Sequence, residues 1–137
     1  DIEFSGIGFG SADYCASTGG DMGKDSLAYG RGKIINAAAL YNTLALDGVW
    51  LDFKDADGCR AETEYVKSMG FKGRFAIHPD QIDPIHDAFN PSKEELEWAK
   101  GVLEEAKTAG TGAFKFQGRM VDAPVLSVAR LIISREG

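Results

Sequence analysis

The sequence lacks features that would assign it to several large classes of protein. Its 15 Lys and Arg stand against 21 Asp and Glu, for a formal net charge of -6, and this balance argues against a surface for nucleic acid or anionic membranes. Its apolar runs fall well short of the roughly 20 residues that span a bilayer, and no leader segment opens it. We therefore expect no nucleic-acid or membrane partner, and a cytoplasmic location or, in a eukaryote, the mitochondrial matrix.

Cysteine is also scarce. Cys15 and Cys59 are the two cysteines, and they lie far apart without a C-x-x-C spacing, so a structural zinc or a redox motif has no support. Two reduced, packed thiols are the better expectation. The chain opens on Asp1 in place of Met and leads almost directly into an apolar run, which is what we expect of a fragment of a longer protein.

The stretch from Gly6 to Tyr14 is the part of the sequence that most clearly indicates a site. An apolar run over 2–9 predicts a strand, and it ends in glycines before Asp13 follows. The glycines allow backbone to come close to whatever Asp13 faces. A dinucleotide-binding loop is disfavoured, because the glycine spacing departs from G-x-G-x-x-G and no amphipathic helix follows directly.

Strands and helices alternate through the rest of the first hundred residues. A glycine-rich loop with a short helical turn at its start is expected over 14–25, and the predicted elements after it are a helix at 26–42, a strand at 44–51, a helix that stops at Gly70 and a strand at 73–78. Such alternation indicates an α/β fold, either an open doubly wound sheet or part of a closed barrel.

Polar residues just past the predicted strand ends favour the barrel. Asp13, Asp52 and His78 occupy such positions, and these form the functional face of a (β/α)8 barrel. A whole barrel takes about 250 residues, so the 137 residues of this chain predict its C-terminal half.

Two of these positions also have simpler explanations. Asp52, Asp55 and Asp57 invite a metal site, but their spacing lacks the glycine and glutamate of an EF-hand loop. Helix capping by Asp55 or Asp57 is therefore favoured. His78 precedes Pro79 at a strand end, where a hydrogen-bonded structural histidine is the commoner case.

The C-terminal part changes in character. Ser92 and Glu95 spell a capping box that opens a helix. A short ribbon turning at Gln117-Gly118 and a final helix are predicted after it, and Asp122 stands where the N-cap of that helix belongs. We assign residues 1–109 to the C-terminal part of a barrel and residues 110–137 to a lid.

Five motifs, in order along the chain, resemble the HpcH/HpaI aldolase and citrate lyase β-subunit superfamily. They are FGSADY at 9–14, LDGVWLD at 46–52, MGFKGR at 69–74, AIHPDQI at 76–82 and FNPS at 89–92. Within that superfamily, QGRMVDAP at 117–124 is similar to the lid of the malyl-CoA, β-methylmalyl-CoA and citramalyl-CoA lyases. The resemblance implies a TIM barrel with an appended lid, assembled as a homo-oligomer of three or six subunits.

The same resemblance implies a Mg2+-dependent carbon-carbon lyase, with Mn2+ as an alternative metal. Its substrate is a 3-hydroxyacyl-CoA, and its products are an acyl-CoA thioester and a 2-oxoacid or glyoxylate. Asp13 matches a metal ligand, and backbone N–H groups of Gly10, Ser11 and Ala12 are expected to meet the substrate carboxylate. Asp122 matches a general acid or base that reaches the site of a neighbouring subunit. The resemblance also implies a second metal ligand, a Glu one strand earlier, and a substrate-binding Arg, both of which are expected in the N-terminal half of the barrel.

Several alternatives stay open from the sequence. A citryl-thioester lyase of the citrate lyase complex and a class II pyruvate-type aldolase use similar sites, and thioester hydrolysis after cleavage is a further option. A non-enzymatic alternative is a catalytically incomplete half-barrel, a remnant or an interaction module.

Overall fold

The protein is described by a computed structural model that covers residues 4–110 and 112–136. Contacts between residues divide the chain into two compact units, Asp1–Phe89 and Asn90–Gly137. The predicted strand over 2–9 begins outside the described residues.

The first unit is an α/β arrangement with a three-stranded parallel sheet in the order β1-β2-β3. Its elements, in chain order, are β1 (Gly6–Gly8), α1 (Ser11–Thr18), α2 (Lys24–Leu40), β2 (Leu44–Asp47), α3 (Ala56–Met69), β3 (Gly73–Arg74), a 3-10 turn (Pro79–Gln81) and α4 (Ile82–Phe89). The register pairs Ile7 with Ala45 and Asp47 with Arg74.

The two faces of this sheet have different surroundings. Ala45 belongs to a buried cluster on the face covered by α2 and α3, with the side chains of Phe9, Leu27, Ala38, Val66 and Phe71. On the other face Leu44 is 50% exposed and Phe75 is 47% exposed. There the Phe75 ring lies over β1, because a Cβ built on Gly8 would be 2.8 Å from Phe75 Cε2. This one-sided cover agrees with a segment of a barrel, and the half-barrel itself stays a prediction.

Three elements of the first unit differ from the sequence prediction. The glycine-rich loop expected over 14–25 is helical as far as Thr18, because Ser11 and Cys15, one turn apart, are buried and Gly19 (φ 75°) ends the helix. The β2 strand ends at Asp47 rather than residue 51, and β3 ends at Arg74 rather than residue 78. Both strands end at charged residues that pair with each other.

The second unit consists of helix α5 (Lys93–Ala109), strands β4 (Phe114–Phe116) and β5 (Arg119–Val121), and helix α6 (Ala123–Ile133). The predicted capping box of Ser92 and Glu95 is confirmed. So is the ribbon: β4 and β5 are antiparallel, joined by Gln117 (φ 47°) and Gly118 (φ 81°). Positive φ at both central residues is the requirement of a two-residue hairpin turn.

Packing in the second unit is apolar. Ala99, Val102, Val121 and Ala129 are buried together between α5, β5 and α6. Contacts therefore group α5 with the ribbon and α6, whereas the sequence placed residues up to 109 with the barrel. The roles assigned to residues 1–109 and 110–137 stay predictions.

Two expectations from composition can be compared with the structure. Cys15 and Cys59 are both free and buried, which confirms the packed thiols. Among the described residues, every helix is too short or too polar to cross a bilayer.

Candidate active site

The turn at Gly10 places Asp13 at the carboxyl end of β1. Ser11 N donates to Phe9 O at 3.0 Å across Gly10, whose φ of -77° and ψ of 78° are those of an inverse γ-turn. Helix α1 starts immediately at Ser11, with Asp13 in its first turn. The close turn leaves little room beside Gly10, because a Cβ there would lie 3.1 Å from Asp13 Oδ2.

The Asp13 carboxylate is free to bind a ligand. Asp13 is exposed, and within residues 4–110 and 112–136 its carboxylate has no hydrogen-bond or ion-pair partner. It lines a cavity of about 410 Å3 with Tyr14, Tyr29 and Lys33. A carboxylate near the positive end of a helix is well placed electrostatically, and its hard oxygens suit Mg2+.

Asp13 alone does not make a metal site. Among the described residues, no three His, Cys, Asp or Glu side chains come together as metal ligands would. Asp13 therefore fits a magnesium ion as one ligand of a set whose other members lie elsewhere.

The predicted backbone donors differ in availability. Ser11 N–H is engaged with Phe9 O. The Ala12 amide lies in the first turn of α1, where backbone N–H groups have no partner within the helix. Ala12 is exposed and Ser11 is 3% exposed. Of these two residues, Ala12 offers the better donor to an incoming carboxylate.

A buried network of charges lies on the helix-covered side of the sheet, beside the turn. Asp47 is fully buried and accepts from Arg31 through two bonds, from Nε and Nη2, both 3.1 Å. Asp47 Oδ2 also accepts from Arg74 Nη2 at 2.7 Å. Glu62 on α3 pairs with Arg31 Nη2 at 2.8 Å and with Lys24 Nζ at 3.6 Å. Burial lowers the pKa of the Arg74 guanidinium, while the charges of Asp47 and Glu62 oppose that shift.

Sequence reasoning missed this network. Sequence reasoning assigns no role to Asp47, Arg31, Glu62 or Arg74, although Asp47 lies inside the apolar run predicted as a strand over 44–51. The available signal was a carboxylate inside a run that is otherwise apolar, since a buried charge requires a partner of opposite sign.

The loop after β2 uses its carboxylates for local structure. Asp55 is the N-cap of α3 and accepts from Gly58 N at 2.9 Å, which confirms the capping interpretation. Asp52 Oδ1 accepts from Lys54 N at 3.1 Å. The Asp21 carboxylate also serves local structure. It accepts hydrogen bonds from the Ser26 hydroxyl at 2.7 Å and from Gly23 N, and both bonds lower its pKa.

His78 joins two neighbouring loops. Its ring stacks on Phe53 with centroids 4.7 Å apart, and its Nδ1 accepts from Asp80 N at 3.2 Å. Gln81 strengthens the junction by donating to Trp50 O at 2.7 Å. These contacts support the structural interpretation of His78.

Asp122 begins helix α6 in the second unit. Its Oδ1 accepts from Val125 N at 3.3 Å, and its own carbonyl accepts from Leu126 N at 2.9 Å. Asp122 is half-buried. Its carboxylate is thus an N-cap, and the long 3.3 Å contact leaves most of its acceptor capacity available.

An exposed carboxylate at the end of a parallel strand, on a sheet covered by helices on one face, defines an α/β protein with a strand-end site. A model of the HpcH/HpaI aldolase/citrate lyase family matches residues 3–79, more than half of the chain. The chain belongs to this family.

Known relatives match the sequence of this chain over nearly its whole length. Over 131 residues it is 37% identical to the mitochondrial citramalyl-CoA lyase of Rattus norvegicus, covering 92% of this chain and 39% of the relative. It is 37% identical to a citrate lyase subunit beta-like protein of Mycobacterium tuberculosis, covering 96% of this chain and 50% of the relative. The chain therefore spans half or less of the length of these relatives.

A solved structure shows the same architecture. The protein CitE from Mycobacterium tuberculosis, crystallised with magnesium, acetoacetate and coenzyme A, superposes with a TM-score of 0.83 at 36% identity. The match covers 96% of this chain and 51% of CitE. The fold and the sequence thus relate this chain to about half of a relative that was crystallised with magnesium.

Proposed function

We propose that this chain is the C-terminal half of a Mg2+-dependent carbon-carbon lyase acting on a 3-hydroxyacyl-CoA such as citramalyl-CoA, malyl-CoA or β-methylmalyl-CoA. The products are an acyl-CoA and a 2-oxoacid or glyoxylate. The observation that carries the proposal is the free Asp13 carboxylate at the end of β1. It lies in a chain 37% identical to a citramalyl-CoA lyase.

In this proposal Asp13 is one magnesium ligand, and the remaining ligands come from the N-terminal half of the barrel. When bound, the ion acts as a Lewis acid on the substrate oxygens. The exposed Ala12 N–H donates to the substrate carboxylate, and the Gly10 turn keeps this amide close to Asp13. The positive end of α1 adds favourable electrostatics for an anionic substrate.

Asp122 is the proposed general acid or base at the α carbon of the thioester. Residues 110–137 serve as the lid that brings it to the site of a neighbouring subunit, in an assembly of three or six copies. Its capping bond to Val125 N fixes the carboxylate direction, and a lid excludes water once the substrate is bound. The cytoplasm, or the mitochondrial matrix in a eukaryote, is the expected compartment.

A second candidate is the citryl-thioester lyase reaction. A citrate lyase subunit beta-like protein is as similar to this chain, at 37% identity, as the citramalyl-CoA lyase is. Both reactions break a carbon-carbon bond next to a thioester, so the same residues serve either one. The difference lies in the acyl group and its carrier, and the N-terminal half of the barrel is where we expect that choice to be made.

The test is a substrate panel on the complete polypeptide that carries this chain. Citramalyl-CoA, malyl-CoA, β-methylmalyl-CoA and citryl-CoA are each assayed with Mg2+, with Mn2+ and with EDTA. We expect metal-dependent cleavage of at least one of them. Asp13→Asn should abolish metal-dependent cleavage, and Asp122→Asn should slow turnover by about 10²- to 10⁴-fold while metal binding is kept. Absence of cleavage across the panel, or full activity in either variant, would contradict the proposal.

A further inference from the structure

Gly48 stands directly behind the turn that carries Asp13. A Cβ built on Gly48 would lie 2.3 Å from Ser11 Oγ, 3.0 Å from Ser11 Cβ and 2.8 Å from Phe9 O. Real Cβ atoms essentially never come within 3.0 Å of such neighbours. The backbone φ of Gly48 is outside the left-handed range, so close approach is what requires glycine here.

Arg74 holds Gly48 in this position. Its Nε donates to Gly48 O at 2.9 Å, its Nη2 to Asp47 Oδ2 at 2.7 Å and its Nη1 to Thr63 Oγ1 at 3.1 Å. The Arg74 side chain is 1% exposed. All three nitrogens are thus engaged within the protein, and the planar guanidinium fixes three directions at once. Arg74 is therefore unsuited to bind a substrate carboxylate, despite its place at a strand end.

We propose that Gly48 and Arg74 are positioning residues for the Asp13 carboxylate, an inference that rests on the proposed metal role of Asp13. Arg74 fixes the Gly48 backbone, and Gly48 supports Phe9 O and Ser11. The inverse γ-turn across Gly10 then sets where α1 starts and where Asp13 lies.

The sizes of the displacements make the effect measurable. A Cβ at Gly48 requires the backbone atom Phe9 O to move by several tenths of an ångström, and it also presses on Ser11 Cβ at 3.0 Å. Asp13 follows Ser11 by two residues in the same helical turn, so it moves with Ser11. A functional constellation is held within about 0.5 Å of its productive geometry, and loss of a supporting contact typically weakens metal binding by 10- to 100-fold.

The experiment measures Mn2+ affinity by electron paramagnetic resonance on the complete polypeptide, with Mn2+ standing in for Mg2+. Gly48→Ala and Arg74→Lys should each weaken Mn2+ binding by about 10-fold or more. Lysine keeps the charge beside Asp47 but not the bond to Gly48 O. Gly32→Ala is the matched glycine control, because a Cβ there meets no atom within 4 Å. It should leave Mn2+ affinity unchanged.

Thr63→Val separates positioning from general stability. It removes the partner of Arg74 Nη1 while the bond from Nε to Gly48 O remains. We expect a lower melting temperature and unchanged Mn2+ affinity. If Gly48→Ala fails to fold, Arg74→Lys decides the question by comparison with Thr63→Val.

The outcomes distinguish this inference from the proposed function. If Asp13→Asn leaves Mn2+ affinity unchanged, the metal role of Asp13 fails, and the positioning role fails with it. If Asp13→Asn abolishes binding while the folded Gly48→Ala and Arg74→Lys proteins bind Mn2+ within twofold of the wild type, the positioning role alone is wrong.

Discussion

The interiors of the two units differ, because the first unit adds a buried network of charges to its apolar cluster, whereas the buried cluster of the second unit is apolar. In the first unit the side chains of Arg31, Asp47 and Arg74 are almost completely buried and joined by directional bonds. In the second unit the buried cluster of α5, β5 and α6 is formed by alanine and valine. Apolar contacts tolerate small shifts, whereas a buried ion pair is favourable only in one geometry. The charged interior therefore lies where a backbone position has to be fixed, behind the Gly10 turn.

The largest expected effect comes from breaking the charged interior. Asp47→Asn keeps the size of the side chain but leaves the guanidinium groups of Arg31 and Arg74 opposed by Glu62 alone. An uncompensated buried charge costs about 3–5 kcal/mol of unfolding free energy, measured by urea denaturation.

The control for Asp47→Asn is an exposed ion pair in the same unit. Arg60 and Asp87 are 44% and 52% exposed at their side chains, and Asp87→Asn should cost less than about 1 kcal/mol. Equal losses in the two variants would show that the buried charges have no special role.

A smaller effect is expected at the two candidate aspartates, which both lie at helix starts but have different bonds. Asp122 accepts from Val125 N as an N-cap, so Asp122→Ala should cost about 1 kcal/mol and Asp122→Asn should restore most of it. Asp13 makes no such bond, since the N-cap of α1 is Gly10 without a side-chain cap. Asp13→Ala should therefore stay within about 0.5 kcal/mol of the wild type.

Thermal and urea unfolding of these variants check that contrast. A loss at Asp13 as large as the loss at Asp122 would mean that Asp13 has a structural role. The variants Asp13→Asn and Asp122→Asn also separate capping from chemistry. Each removes a carboxylate charge, but asparagine in place of Asp122 still caps α6.

Local signals were sufficient for much of the fold. The capping box at Ser92, the end of α3 before Gly70 and the turn at Gln117-Gly118 each depend on a few adjacent residues, and all three are present. The strand ends at Asp47 and Arg74 depend on partners 16 and 27 residues apart in sequence. Periodicity cannot reveal such pairs, and it therefore predicts strand for the apolar residues after Asp47, where the structure has none.

The candidate site was predictable in part for the same reason. Glycines followed by a carboxylate at a strand end pointed to Asp13, and the structure leaves that carboxylate exposed. The support behind it was hidden, because Gly48 acts through a backbone contact with Phe9 and Ser11. Nothing in the spacing of these residues indicates that two strand ends touch.

A small, pH-dependent effect is expected at the Cys59 thiol, which lies in the first unit close to the charged interior. Burial raises the pKa of this thiol, and the charge of Arg74 only partly opposes the shift. A raised folded-state pKa means that the folded protein retains the proton more strongly than the unfolded chain. The stabilisation is complete below the unfolded pKa of about 8.5 and is lost as the pH rises.

Between pH 7.5 and pH 9 the loss should be at most about 0.8 kcal/mol, by the linkage between protonation and folding. Urea unfolding in the presence of a reductant measures it, with Cys59→Ala as the comparison. The variant is expected to be less stable at both values of pH because it loses buried volume, but its stability should fall less between them. If wild type and variant lose the same amount over this range, the alkaline loss comes from other groups, and Cys59 is only a packing residue beside Arg74.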